Sequence, residues 1–174
     1  DQAISLLQQG QFDAAEVHFR QVLAAAPRHL DALQFLGIID YQGGRFETAA
    51  ERFQKAIKLA PNAPGLHCNR GLALQELGRL KEALASYDCA IALKPGFVEA
   101  LNNRGNVLRE LGRLDDAVAS YQRVLRIQPD FAETLLNLGM TLLTLEQAQP
   151  AHDCLSRCLQ LMPDHQGALN QYGM

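Results

Sequence analysis

The stretch VEALNNRGNVLRELGRLDDAVASYQRVLRIQPDF, residues 98–131, decides the fold. Its first part is apolar at Val98, Leu101, Val107, Leu108 and Leu111, a spacing that suits a helix better than a strand. Gly112 and Arg113 interrupt that run. The second part keeps Leu114, Ala117, Val118, Tyr121, Val124 and Leu125 on one face until Pro129 ends it. The stretch therefore predicts a helix, a short turn and a second helix. Outward from it, proline returns with a 34-residue period at Pro27, Pro61, Pro95 and Pro163. Glycine follows ten residues later at Gly37, Gly71, Gly105, Gly139 and Gly173, and alanine keeps step at Ala15, Ala49, Ala83, Ala117 and Ala151. Columns in one register mean a repeat protein. Full units are expected at 30–63, 64–97, 98–131 and 132–165, with partial units at 1–29 and 166–174, all within one domain spanning 1–174.

Each column has a physical task. A side chain at the glycine column would hold two antiparallel helices apart, and the alanine column is small for the same reason. Phe19, Phe53, Tyr87 and Tyr121 form an aromatic column, with Leu155 in its place in the last full unit. These residues are expected to fill space between neighbouring units, where burial of such a side chain is worth about 1.5–3 kcal/mol. Gly10, Gly44, Gly78 and Gly112 suit a left-handed helix end. Proline stops the second helix because it lacks an N–H and disfavours helical geometry before it. Glu146 replaces the turn glycine in the last full unit and Pro150 stands at the start of its second helix, so an altered turn is expected there.

These residues resemble the tetratricopeptide repeat family. The resemblance rests on Leu33, His67, Leu101 and Leu135, the glycine four residues after each, the small-aromatic-small set of the second helix and the closing proline. It implies an all-α fold, an α-α superhelix forming a right-handed solenoid with a concave surface lined by the first helices. A repeat stack buries apolar faces only between neighbours.

Composition fits an ordinary helical protein. The chain is 48% hydrophobic, has no tryptophan and carries a formal net charge of −3. The four full units hold four cations against four anions, four against three, five against five and one against four, giving 0, +1, 0 and −3. No unit has the basic stripe that phosphate neutralisation needs, so nucleic acid is not expected as a partner. No apolar run is long enough to span a bilayer, and the start does not read as a secretion signal. Asp1 and Met174 both fall inside first helices, which points to a piece of a longer protein.

No catalytic, metal or cofactor pattern emerges. The chain has no Gly-x-Ser-x-Gly elbow, no His-Glu-x-x-His, no Walker glycine loop and no Cys-x-x-Cys pair. His67 replaces a packing leucine and reads as a satisfied residue between helices. Asp115 and Asp116 open a second helix, where acidic residues favour the helix dipole. Cys154 and Cys158 stand one helical turn apart near His152, but two thiols without further ligands do not close a zinc site. With Cys68 and Cys89 they follow no disulfide spacing, so a reducing, cytoplasmic location is expected. The chain itself is not expected to be an enzyme.

Function is then expected on the concave face. By resemblance, the sixth column of the repeat faces it and reads Phe35, Asn69, Asn103, Asn137. An asparagine amide both donates and accepts, so a ladder of them suits the backbone of an extended peptide. The alternative is that these amides bond between neighbouring helices and stabilise the stack. Gln34, Ile38, Cys68, Leu72, Asn102, Asn106 and Arg109 flank the column as candidate selectivity residues. The column, with NRGLALQELGRLKEALASY and NRGNVLRELGRLDDAVASY, resembles the repeat region of the O-linked N-acetylglucosamine transferases and the Spindly-like bacterial proteins. That likeness implies binding of extended protein segments.

A carboxylate clamp of the kind that holds chaperone tails is not expected. Its positions read Gln34, Ile38, Asn69, Glu99 and Asn103 in one window and Cys68, Leu72, Asn103, Glu133 and Asn137 in the next, without the cations. The leading expectation is a scaffold for a protein or peptide partner. A second is the substrate-recruiting arm of a larger protein glycosyltransferase, and a third is self-association through Leu6, Leu7 and Leu169 at the cut ends.

Overall fold

The computed structural model describes residues 5–6 and 11–164. Among the described residues it holds α1 (Phe12–Ala25), α2 (Leu30–Gln42), α3 (Phe46–Leu59), α4 (Pro64–Glu76), α5 (Leu80–Leu93), α6 (Val98–Glu110), α7 (Leu114–Ile127), α8 (Ala132–Thr144) and α9 (Ala148–Leu161), and no strand. Two compact units divide them, Asp1–Leu93 with α1 to α5 and Lys94–Met174 with α6 to α9. Within them α2 packs on α3, α4 on α5, α6 on α7 and α8 on α9. No described helix is long and apolar enough to cross a membrane.

The turn inside each pair follows one scheme. Gly44, Gly78 and Gly112 have φ of +72°, +69° and +72°, the left-handed conformation that costs glycine nothing. The next residue then donates its N–H to a carbonyl five residues back, Arg45 to Asp40 at 2.8 Å and Arg113 to Leu108 at 2.8 Å. At the last pair the expected alteration does not occur. Glu146 takes a φ of +59° and Gln147 donates to Leu142 at 2.9 Å, so the same turn closes without glycine. The hydrogen bonds over-determine the conformation, and the glutamate bears a left-handed strain of about 1 kcal/mol.

After each second helix the proline sits in a tight turn. His29 donates to Ala26 at 3.0 Å across Pro27, and Phe97 to Lys94 at 3.0 Å across Pro95. Proline presets the φ such a turn needs.

The aromatic column does more than fill space between units, where Phe19 packs with Ala32 and Leu36 of the next one. A Cβ placed on Gly37 would lie 2.7 Å from the Phe53 ring, on Gly71 2.6 Å from Tyr87 and on Gly139 2.8 Å from Leu155, while Gly105 meets Tyr121 in the same way. Each large side chain therefore presses on the glycine of its own pair's first helix. The glycine column exists to receive that ring. Phe53, Tyr87 and Tyr121 are at most 1% exposed, and Ala49, Ala83, Ala117 and Ala151 are fully buried beside them.

At the other end, Leu6 is half-buried against the cluster of Ala15, Phe19, Ala32 and Leu36. Leu7, Leu169, Gly10, Gly173 and His165 lie outside the described residues. None of the four cysteines is in a disulfide, and Cys68 and Cys158 are buried. Among the described residues no three His, Cys, Asp or Glu side chains are grouped to hold a metal ion.

Candidate functional site

The candidate residues lie on the first helix of each pair, some in one unit and some in the other. In the first unit α2 carries Gln34, Phe35 and Ile38, and α4 carries Asn69 and Leu72, all half-buried. Cys68 is buried beside Asn69 in sequence. Phe35 stacks on Phe19 of α1, with ring centroids 5.1 Å apart and planes 18° from parallel. That stacking fixes the start of the sixth column as an apolar contact. His67 meets the backbone carbonyl of Pro61 through Nε2 at 2.8 Å, which satisfies the ring as expected.

In the second unit α6 carries Asn102, Asn103, Asn106 and Arg109, and α8 carries Asn137. Asn102 is 4% exposed and fully engaged. Its Nδ2 donates to Glu133 at 3.0 Å, and its Oδ1 accepts from the Thr134 hydroxyl at 2.7 Å. Asn102 thus ties α6 to α8 and is not a free amide of the face, contrary to its place among the selectivity residues. Burial decides this, because a buried amide must find partners within the fold.

Asn106 and Asn137 form a second tie. The Asn106 Oδ1 accepts from the Tyr121 hydroxyl at 2.7 Å and from Asn137 Nδ2 at 3.1 Å. Burial pushes the Tyr121 hydroxyl up to about 12. The Arg109 guanidinium beside it pulls the other way, and Glu133 and Glu110 add to the rise. Arg109 Nε is buried without an acceptor among the described residues.

The asparagine column therefore splits. Asn137 works between helices, as the packing alternative requires. Asn69 and Asn103 are half-exposed, and among the described residues neither amide has a side-chain hydrogen-bond partner. An amide in that state presents a donor and an acceptor in fixed relation to a helix, which is what a peptide group can meet.

Sequence reasoning missed Asp40, Thr134 and the arginine-serine ties. Asp40 is 2% exposed and lies between Arg45 Nε at 2.7 Å and Arg52 Nε at 2.5 Å. Its signal was available, since the same column reads Leu74, Leu108 and Leu142 in the other units. Arg70 donates to Ser86 at 2.7 Å and Arg104 to Ser120 at 2.5 Å, again one period apart.

A family model described as tetratricopeptide repeat matches residues 1–64 and 68–132. The chain belongs to the tetratricopeptide repeat family. Solved tetratricopeptide structures agree in fold. A crystal structure of MamA is 23% identical, with a TM-score of 0.87 over 94% of this chain and 95% of that one. The crystal structure of YrrB, described as a TPR protein with an unusual peptide-binding site, is 24% identical, with a TM-score of 0.87 over 99% of this chain and 89% of its own. A thermophilic TPR protein of Thermus thermophilus is 23% identical, with a TM-score of 0.72 over 98% and 93%. Comparison with the curated proteins gives no significant match. The fold class is the all-α superhelical tetratricopeptide repeat.

Proposed function

We propose that the chain is a protein-interaction scaffold whose first-helix faces hold an extended peptide by its backbone. The observation that carries the proposal is the split column, with Asn69 and Asn103 half-exposed and unpartnered while Asn137, with the flanking Asn102 and Asn106, is consumed by packing. Gln34, Ile38 and Leu72 flank Asn69 on the faces of α2 and α4, and Arg109 lies on the helix of Asn103. The peptide-binding site named for YrrB supports the same class of role. A cytoplasmic setting is part of this reading, supported by four cysteines that form no disulfide.

The test is a set of peptides selected from a random display library on the wild-type chain. Asn69→Ala and Asn103→Ala are each expected to weaken selected peptides about tenfold, with unchanged helicity and urea midpoint. Asn137→Ala is expected to lower stability instead. Peptides that bind both first variants as tightly as wild type would remove the backbone-ladder reading.

A narrower proposal is that this chain recruits substrates for a protein glycosyltransferase. It rests only on the resemblance read from residues 69–87 and 103–121 of the sequence. A parent gene without a nucleotide-sugar-binding domain would end it.

A further inference from the structure

A second binding surface lies at the opposite end of the α2/α3 pair from the Gly44 turn. Because the two helices run antiparallel, the start of α2 and the end of α3 meet there. A cavity of about 290 Å³ opens between them, lined by Pro27, Arg28, Leu33, Lys55, Lys58 and Leu59. Pro27, Leu33 and Leu59 make an apolar floor, and three cations stand around it. No acidic side chain lines it, and Asp31 in the first turn of α2 stays outside.

The charge there is unspent. Arg28, Lys55 and Lys58 are not buried and, among the described residues, none has an ion pair or hydrogen bond. The neighbouring cavity shares Lys55 and Lys58 and is also lined by Glu47 and Glu51, but its other two cations are already engaged, Arg70 with Ser86 and Arg79 with Glu47 and Glu82. The carbonyl end of α3 points the negative pole of its dipole this way, worth about half a charge, against three full positive charges.

We propose that this cavity seats an apolar side chain of an acidic peptide segment, whose flanking carboxylates pair with Arg28, Lys55 and Lys58. The volume sits at the lower edge of the range for ligand cavities and fits one side chain with its neighbours. A polyphosphate or nucleic acid would pair with the cations but leave the apolar floor of Pro27, Leu33 and Leu59 uncovered. The site is separate from the first-helix face, and it does not rest on the asparagines.

Fluorescence anisotropy of the full chain tests it, with fluorescein-labelled Asp-Glu-Leu-Glu-Asp as the probe. Binding at low salt is expected, weakened at least tenfold by Lys55→Glu with Lys58→Glu and several-fold by Arg28→Gln. These substitutions lie outside the core, and unchanged helicity checks the fold. The neutral peptide Asn-Gln-Leu-Gln-Asn and the peptide with glycine for leucine are both expected to bind at least tenfold more weakly. Arg126→Gln, which removes an exposed cation outside both sites, is expected to leave the acidic peptide unaffected. Absence of binding, equal binding to the charge-reversed chain, equal binding of either control peptide, or an equal loss on Arg126→Gln would each overturn the proposal.

Discussion

The α2/α3 pair and the α6/α7 pair share their columns but hold their polar interiors by different means. In α2/α3 a buried carboxylate, Asp40, is clasped by Arg45 and Arg52. In α6/α7 the corresponding column is a buried leucine, Leu108, and the polar contacts are a hydroxyl on an amide and a guanidinium on a hydroxyl, Tyr121 with Asn106 and Arg104 with Ser120. The exchange is compensated column by column. Where leucine becomes Asp40, the serine of the next two units, Ser86 and Ser120, becomes Arg52, and Arg45, which has Thr48 rather than an acid three residues on, turns to the same carboxylate. By contrast Arg79 and Arg113 take the acids three residues ahead, Glu82 and Asp116. A repeat accepts a buried charge when its partners change with it.

The largest expected effect concerns the neutral interior of α6/α7. The folded Tyr121 hydroxyl titrates near 12 against about 10 when unfolded, so the folded state keeps the proton longer. Its contribution is complete below pH 10 and is lost as pH rises through 12, by about 2–3 kcal/mol. Urea unfolding of wild type and Tyr121→Phe from pH 8 to 12 should therefore show the wild-type advantage shrinking. Parallel curves would mean that this hydroxyl does not carry the alkaline dependence.

The ionic interior of α2/α3 gives a middling effect that depends on what replaces the carboxylate. Asp40→Ala is expected to cost about 1–3 kcal/mol, because it leaves a void and releases two guanidiniums, of which Arg45 is already 44% exposed and can turn to water. Asp40→Leu, which restores the column of Leu74, Leu108 and Leu142, is expected to lie within about 1 kcal/mol of wild type. A leucine variant as unstable as the alanine one would show that the two pairs are not interchangeable. The smallest effect concerns the turn. Glu146→Gly is expected to raise stability by about 0.5–1 kcal/mol, read as a higher urea midpoint, since the backbone already holds the glycine conformation. A fall would mean the glutamate side chain contributes something the turn geometry hides.

Much of the fold could be read directly. Pro27, Pro61, Pro95 and Pro129 placed the helix ends, and Gly44, Gly78 and Gly112 placed the turns, because both residue types act through their own backbone geometry. The glycine and aromatic columns were recognised, but their pairing was not. That Phe53 meets Gly37 and Tyr87 meets Gly71 inside one helix pair follows from side-chain direction in three dimensions, and periodicity alone is silent on it.

The candidate site divides along the same line. The sequence by itself determined the repeat, the register and the residue types at each column, since these depend on local propensity and a fixed period. Tertiary structure alone decided which amides are spent. Asn102 and Asn137 are committed because α8 brings Thr134, Glu133 and its own amide against α6, whereas Asn69 and Asn103, of the same residue type, stay open. Whether a polar group is free depends on the neighbours that burial supplies, and a column of letters does not hold that information.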